Sequence, residues 1–125
     1  DLCLTHVAGR GPGIATTSHF STRIASERAR KAAKAGAAML MLMPPYHGTG
    51  LRADENGMVE HFRAVAEASS LPIMVQDAPL SGVALSVPFL VRLAQEVPLV
   101  RYFKIEVPDF RRQWLRSYQD SKHFD

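Results

Sequence analysis

Hydrophobic positions along this chain repeat in two ways, and the two kinds of stretch alternate. Apolar residues three or four apart predict helices buried on one side; short apolar runs bounded by Gly and Pro predict strands. Gly13-Ile14-Ala15-Thr16-Thr17 predicts a short strand, entered through Gly9-Arg10-Gly11-Pro12. Ser21 or Thr22 then caps an alanine-rich helix to about Ala35, with Gly36 as its stop. Ala38-Met39-Leu40-Met41-Leu42-Met43 is an unbroken apolar run ended by Pro44-Pro45, and it reads as a strand buried on both faces. A second helix starts near Asp54, with Met58, Val59, Phe62, Val65, Ala66 and Ser69 on one stripe. Pro72-Ile73-Met74-Val75-Gln76 is the third strand. Ser86 caps a third helix with Pro88 in its first turn, and Phe89, Leu90, Leu93, Ala94 and Val97 form its buried stripe. Val100 to Val107, β-branched and aromatic, is the last strand and carries Lys104. The opening Asp1-Leu2-Cys3 has no clear helix start.

The strand ends near Thr17, Met43, Gln76 and Lys104 lie 26, 33 and 28 residues apart. That period suits repeated β-α units in a parallel sheet, where ligands gather at the carboxyl ends of the strands. The notable polar residues (Thr16, Thr17, Ser18, His19, Tyr46, His47, Gln76, Asp77, Lys104, Glu106) fall at or just after those ends. Such clustering favours an active site over scattered surface polarity.

Lys104 is the most informative of them. In a buried strand, a lysine without a neutralising neighbour tends to lose its proton, because desolvation disfavours the ammonium. The neutral amine is a nucleophile suited to forming a Schiff base with a ketone. On a strand's solvent face the same residue would instead pair with Glu106 or snorkel. Tyr46 follows the stiff Pro44-Pro45 pair, where a phenol can shuttle protons or simply pack. Thr16, Thr17 and Ser18 with His19 suit an anionic carboxylate ahead of a helix, or form a capping cluster. Gln76 places an amide where it can bind a substrate hydroxyl, while Asp77 also reads as a turn residue ahead of Pro79.

Composition narrows the classes. Hydrophobic residues make up 46% of 125 and charged residues 22%, as in a globular domain or part of one. The net charge of +3 is carried largely by a helix whose arginines and lysines have no interleaved aromatics, which argues against nucleic acid. Cys3 is the only cysteine, so no intrachain disulfide forms and a reducing, cytoplasmic setting is expected. The longest apolar run is too short to span a bilayer, and no leader pattern is seen. Histidine and cysteine spacings predict no metal site, and no phosphate loop or nucleophile elbow is present.

Taken together, the Thr/Ser-rich strand end, the Pro-Tyr loop, Leu71-Pro72-Ile73-x-Val75-x-x-x-Pro79, Leu85-Ser86 before a helix, and the strand-borne Lys104 resemble one family. It is the dihydrodipicolinate synthase and N-acetylneuraminate lyase family of Schiff-base (β/α)8 barrels. The resemblance runs from about Gly13 to Glu106 and implies an α/β fold, a partial TIM barrel comprising its third to sixth strands. It makes Lys104 the Schiff-base lysine and Tyr46 the tyrosine after the fourth strand. The family's second tyrosine is replaced by Gln76, and Thr16 to Thr22 with Tyr102-Phe103-Lys104-Ile105-Glu106 look most like the branch of 2-keto-3-deoxy sugar acid dehydratases.

The resemblance therefore implies a lyase that dehydrates such an acid through a lysine imine, with Lys104 and Tyr46 catalytic. Thr16, Thr17, Ser18, His19 and Gln76 would bind substrate. No cofactor or metal is expected; the partners are a small 2-keto acid and, in an intact protein, three further copies in a homotetramer. Alternatives are a pyruvate-type aldolase or synthase, or a catalytically inactive barrel piece or small α/β binding module. The expected organisation is a partial barrel over residues 1–107 and an unmatched tail over 108–125, both ends reading as those of a piece of a longer protein.

Overall fold

A computed structural model describes residues 2–46, 53–78, 83 and 85–106. Eight elements follow in order: α1 (Leu2–Val7), β1 (Ile14–Thr16), α2 (Thr22–Lys34), β2 (Met39–Leu42), α3 (Glu55–Ser69), β3 (Ile73–Asp77), α4 (Val87–Glu96) and β4 (Val100–Ile105). The strands form one parallel sheet in the order β1-β2-β3-β4. Each crossover is a helix, as parallel neighbours require.

Local chemistry sets the helix ends. Asp54 Oδ1 accepts the Gly57 amide at 2.7 Å to start α3, and Ser86 Oγ accepts that of Phe89 at 3.2 Å to start α4. Each bond satisfies one amide that a helix start otherwise leaves unpaired. Helix α2 stops where Gly36 turns to a φ of 87°. Gly36 and Ala37 then donate back to the carbonyls of Ala33 and Ala32, the bonding that closes a helix behind a left-handed residue. Helix α1, which has no start signal in the sequence, is short and buries no residue. Its Leu4 lies where a side chain at Gly13 would have to go, so Gly13 lets the helix lie against the entry to β1.

The sheet has one sealed face and one open face. Leu40, Leu42, Ile73 and Val75 are fully buried against α2, α3 and α4 together with Ala25, Ala29, Phe62, Val65, Phe89 and Leu93. Removing each large side chain of this set from water contributes roughly 1.5–3 kcal/mol. The alternate residues Met39, Met41 and Met74 are only partly covered. The expectation that β2 is buried on both faces therefore fails: its pattern alternates, because only one side of the sheet carries helices.

Pairing between β3 and β4 contains a bulge. Ile73 pairs with Val100 but Met74 with Tyr102, leaving Arg101 as an extra residue. From there Val75 pairs with Phe103, Gln76 with Lys104 and Asp77 with Ile105.

Candidate active site

The open face carries the chemistry at its carboxyl end. Paired residues of a parallel sheet share a face, so Met74, Gln76, Tyr102 and Lys104 line one side. Lys104 is not the buried lysine its strand suggests. Its side chain is 44% exposed, and its Nζ lies 2.7 Å from Glu106 Oε1. Gln76 Nε2 donates to the other oxygen, Glu106 Oε2, at 2.8 Å. Glu106 is thus gripped from two sides, and the Lys104 contact first, then the Gln76 amide, holds its carboxyl below the usual carboxylate range.

The sequence placed Glu106 among the polar residues at the strand ends and as a pairing partner of Lys104, without a catalytic or binding role. Spacing was the available signal: residues 104 and 106 of one strand point the same way.

The β1 end is built differently. Thr16 is exposed on the open face in register with Met41, whereas Thr17 is buried on the helix side, with no hydrogen bond to its Oγ1. A substrate carboxylate on the open face would meet Thr16 and not Thr17. Ser18 Oγ accepts the Met43 amide at 3.0 Å, and Ser18 O accepts from Arg28 Nη1 at 2.7 Å. His19 Nδ1 accepts the Ser21 amide at 2.9 Å while its ring stacks on Phe20. Ser21 precedes α2 as expected of a cap, yet its side chain makes no capping bond.

Tyr46 is half-buried just beyond β2, behind the buried Pro44 and Pro45. His47 and Pro79 lie outside the described residues, as do Val107 and the tail. The structure thus joins Lys104, Gln76 and Glu106 directly. Tyr46, Thr16 and His19 are set at neighbouring strand ends.

Two buried polar groups also escaped the sequence. Asp77, read as a turn residue, is the last residue of β3 and fully buried on the sealed face. Burial pushes its carboxyl up from the ordinary value, opposed by the Leu85 backbone amide; neither oxygen has a well-formed hydrogen bond. His61, beside the predicted apolar stripe of α3, shares a 2.9 Å hydrogen bond through Nδ1 with Thr22 Oγ1. That bond ties α3 to the start of α2.

A cleft of about 310 Å³ lined by Arg63, Glu67, Ser70, Glu96 and Pro98 opens at the opposite end of the sheet, far from the lysine. Among the described residues, no cluster of three or more His, Cys, Asp or Glu is placed to hold a metal ion. No described helix is long and apolar enough to cross a membrane.

Comparison with known proteins fits this geometry. The sequence matches the family model of the dihydrodipicolinate synthetase family over residues 2–124. The chain belongs to that family. The match extends past Val107, into the stretch that the sequence resemblance left without a counterpart. The chain is 55% identical over 105 residues to an L-2-keto-3-deoxyarabonate dehydratase of Azospirillum brasilense, covering 84% of this chain and 34% of the relative. It is 42% identical over 98 residues to a 4-hydroxy-tetrahydrodipicolinate synthase of Exiguobacterium sibiricum, covering 78% and 32%. The crystal structure of the family enzyme from Cyanidioschyzon merolae with lysine bound superposes with a TM-score of 0.78 at 29% identity, covering 92% of this chain and 38% of that one. The chain thus spans about a third of the length of the curated relatives it matches. Its four strands form part of the family's (β/α)8 barrel, and the open face is the side that looks into the barrel.

Proposed function

We propose that this chain carries the catalytic segment of a hydro-lyase that dehydrates a 2-keto-3-deoxy sugar acid through an imine on Lys104. The observation that supports it most is the Lys104–Glu106–Gln76 contact at adjacent strand ends. It joins a primary amine, a carboxylate and an amide, the groups needed for a nucleophile, a proton carrier and a hydroxyl ligand. The higher identity to the dehydratase than to the synthase adds weight.

The resting state is the Lys104–Glu106 ion pair. Lys104 passes its proton to Glu106, the amine attacks the C2 ketone, and Glu106 returns the proton to the carbinolamine hydroxyl, which leaves as water, so that an iminium forms beside an ionised Glu106. The iminium acidifies the C3 protons; Glu106 removes one and an enamine forms. The C4 hydroxyl departs as water, taking a proton returned from Glu106 or relayed by Tyr46. The unsaturated iminium then loses a C5 proton and regains one at C3; the C4–C5 enol so formed becomes the aldehyde, and hydrolysis of the imine frees Lys104. Gln76 and His19 bind sugar hydroxyls, and Thr16 contributes to holding the carboxylate. The exposed thiol of Cys3 fits the cytoplasm as the working compartment, and the intact enzyme works as a homotetramer.

An aldolase would share the imine but break a carbon–carbon bond. Gln76 stands where many family members have the tyrosine that serves such reactions, which favours dehydration. Borohydride with substrate is expected to add mass at Lys104, and the product to be a semialdehyde. Pyruvate plus an aldehyde as products would replace dehydration by aldol cleavage. Turnover retained in Lys104→Ala would refute the imine altogether.

A further inference from the structure

The β1 and β2 ends are joined by a side chain where the backbone ladder stops. Thr17 N donates to Met41 O at 3.1 Å, and the next amide on that side is that of Met43, one residue past the end of β2. Among the described residues, no backbone carbonyl receives it. Ser18 Oγ does, at 3.0 Å, so the hydroxyl supplies one further rung. Ser18 is itself seated from outside, because Arg28 on α2 donates to its carbonyl at 2.7 Å.

The two prolines after Met43 make that rung matter. Pro44 and Pro45 have fixed φ angles, and a residue ahead of a proline is confined to extended backbone. The path from Met43 to Tyr46 therefore has little torsional freedom. A shift of the Met43 amide is carried to the phenol instead of being absorbed. Both prolines are buried, which removes their freedom to swing as a unit.

We infer that Ser18 is a positioning residue whose hydroxyl, seated by Arg28, fixes the Tyr46 phenol through the Met43 amide and the Pro44-Pro45 pair. This gives Ser18 a different task from the carboxylate ligand that the sequence suggested. Its link to catalysis rests on Tyr46 acting as a proton relay; its link to geometry does not.

The test uses the full chain labelled with ¹³C at the tyrosine ring carbon bearing the hydroxyl; Tyr46→Phe and Tyr102→Phe assign those two of the three tyrosines, the third being Tyr118, and Tyr102 serves as the internal control. Ser18→Ala is expected to shift or broaden the Tyr46 resonance while leaving that of Tyr102 in place. It should also slow borohydride trapping of pyruvate on Lys104 by about tenfold or more, the scale on which misplaced catalytic groups act. Ser18→Thr is expected to restore both readouts. Arg28→Met, a change on an exposed helix surface, should give a smaller shift of the same sign. An unmoved Tyr46 resonance in Ser18→Ala overturns the inference. Equal movement of Tyr46 and Tyr102 without rescue by Thr also overturns it, in favour of general loosening. If the parent chain traps no pyruvate, the imine reading fails while the resonance comparison still decides the role of Ser18.

Discussion

The two faces of the sheet are built from the same strands yet follow opposite rules. On the helix side, Leu40, Leu42, Ile73 and Val75 have no exposed surface. On the other side, Met39, Met41 and Met74 are partly covered, Ile14 and Tyr102 are about half exposed, and Lys104, Gln76 and Glu106 meet at the end. The sealed face holds the fold together and the open face is left for chemistry. A large apolar side that faces solvent is a liability, and in the family's barrel the side away from the helices faces inward.

Neighbouring residues on β2 give the largest test of this contrast. Leu42→Ala is expected to cost about 2–5 kcal/mol, because it removes a fully buried side chain and leaves a cavity. Met41→Ala, one residue away on the open face, should cost about 1 kcal/mol or less. Denaturant titration of both variants checks it. Equal losses would mean that the open face is covered in solution, and size-exclusion chromatography would then report an assembly.

Asp77 is the exception that sharpens the rule, a carboxyl on the sealed face. Its folded pKa lies above its unfolded value, so the folded state binds more protons through that window. Its contribution to stability is therefore present at acid pH and is lost as pH rises from the ordinary carboxylate range through the raised value. Asp77→Asn should be more stable than the parent at neutral pH and should flatten this slope, read from melting curves between pH 4 and about 8. A smaller effect is expected at Tyr102. Replacing it by Thr on the open face should change stability by no more than about 0.5 kcal/mol while reducing self-association.

Much of this architecture was legible in the chain because it is written locally. Asp54 and Ser86 cap the helices they precede, and Gly36 ends α2. The apolar stripes of α3 and α4 follow the helical period, and the strand ends carry the polar residues expected of them. What stayed hidden depends on partners distant in sequence. A continuous run such as Val100 to Ile105 does not say which side has helices over it, so Lys104 read as buried. The grip of Gln76 on Glu106 spans 30 residues, and the His61–Thr22 bond spans 39. Nothing near Asp77 in sequence signals that the loop before α4 brings the Leu85 amide against it.

The bulge at Arg101 decides which way the end of β4 faces. Had pairing run on regularly from Val100, every later side chain would change sides: Phe103 would align with Gln76, and Lys104 with the buried Asp77. The lysine would then point to the helix side of the sheet, where Phe103 now lies partly exposed, and the phenylalanine would occupy its place at the mouth. One unpaired residue thus works as a parity switch. It lets the start of the strand obey the demands of packing and its end obey those of chemistry, on a single uninterrupted stretch of chain.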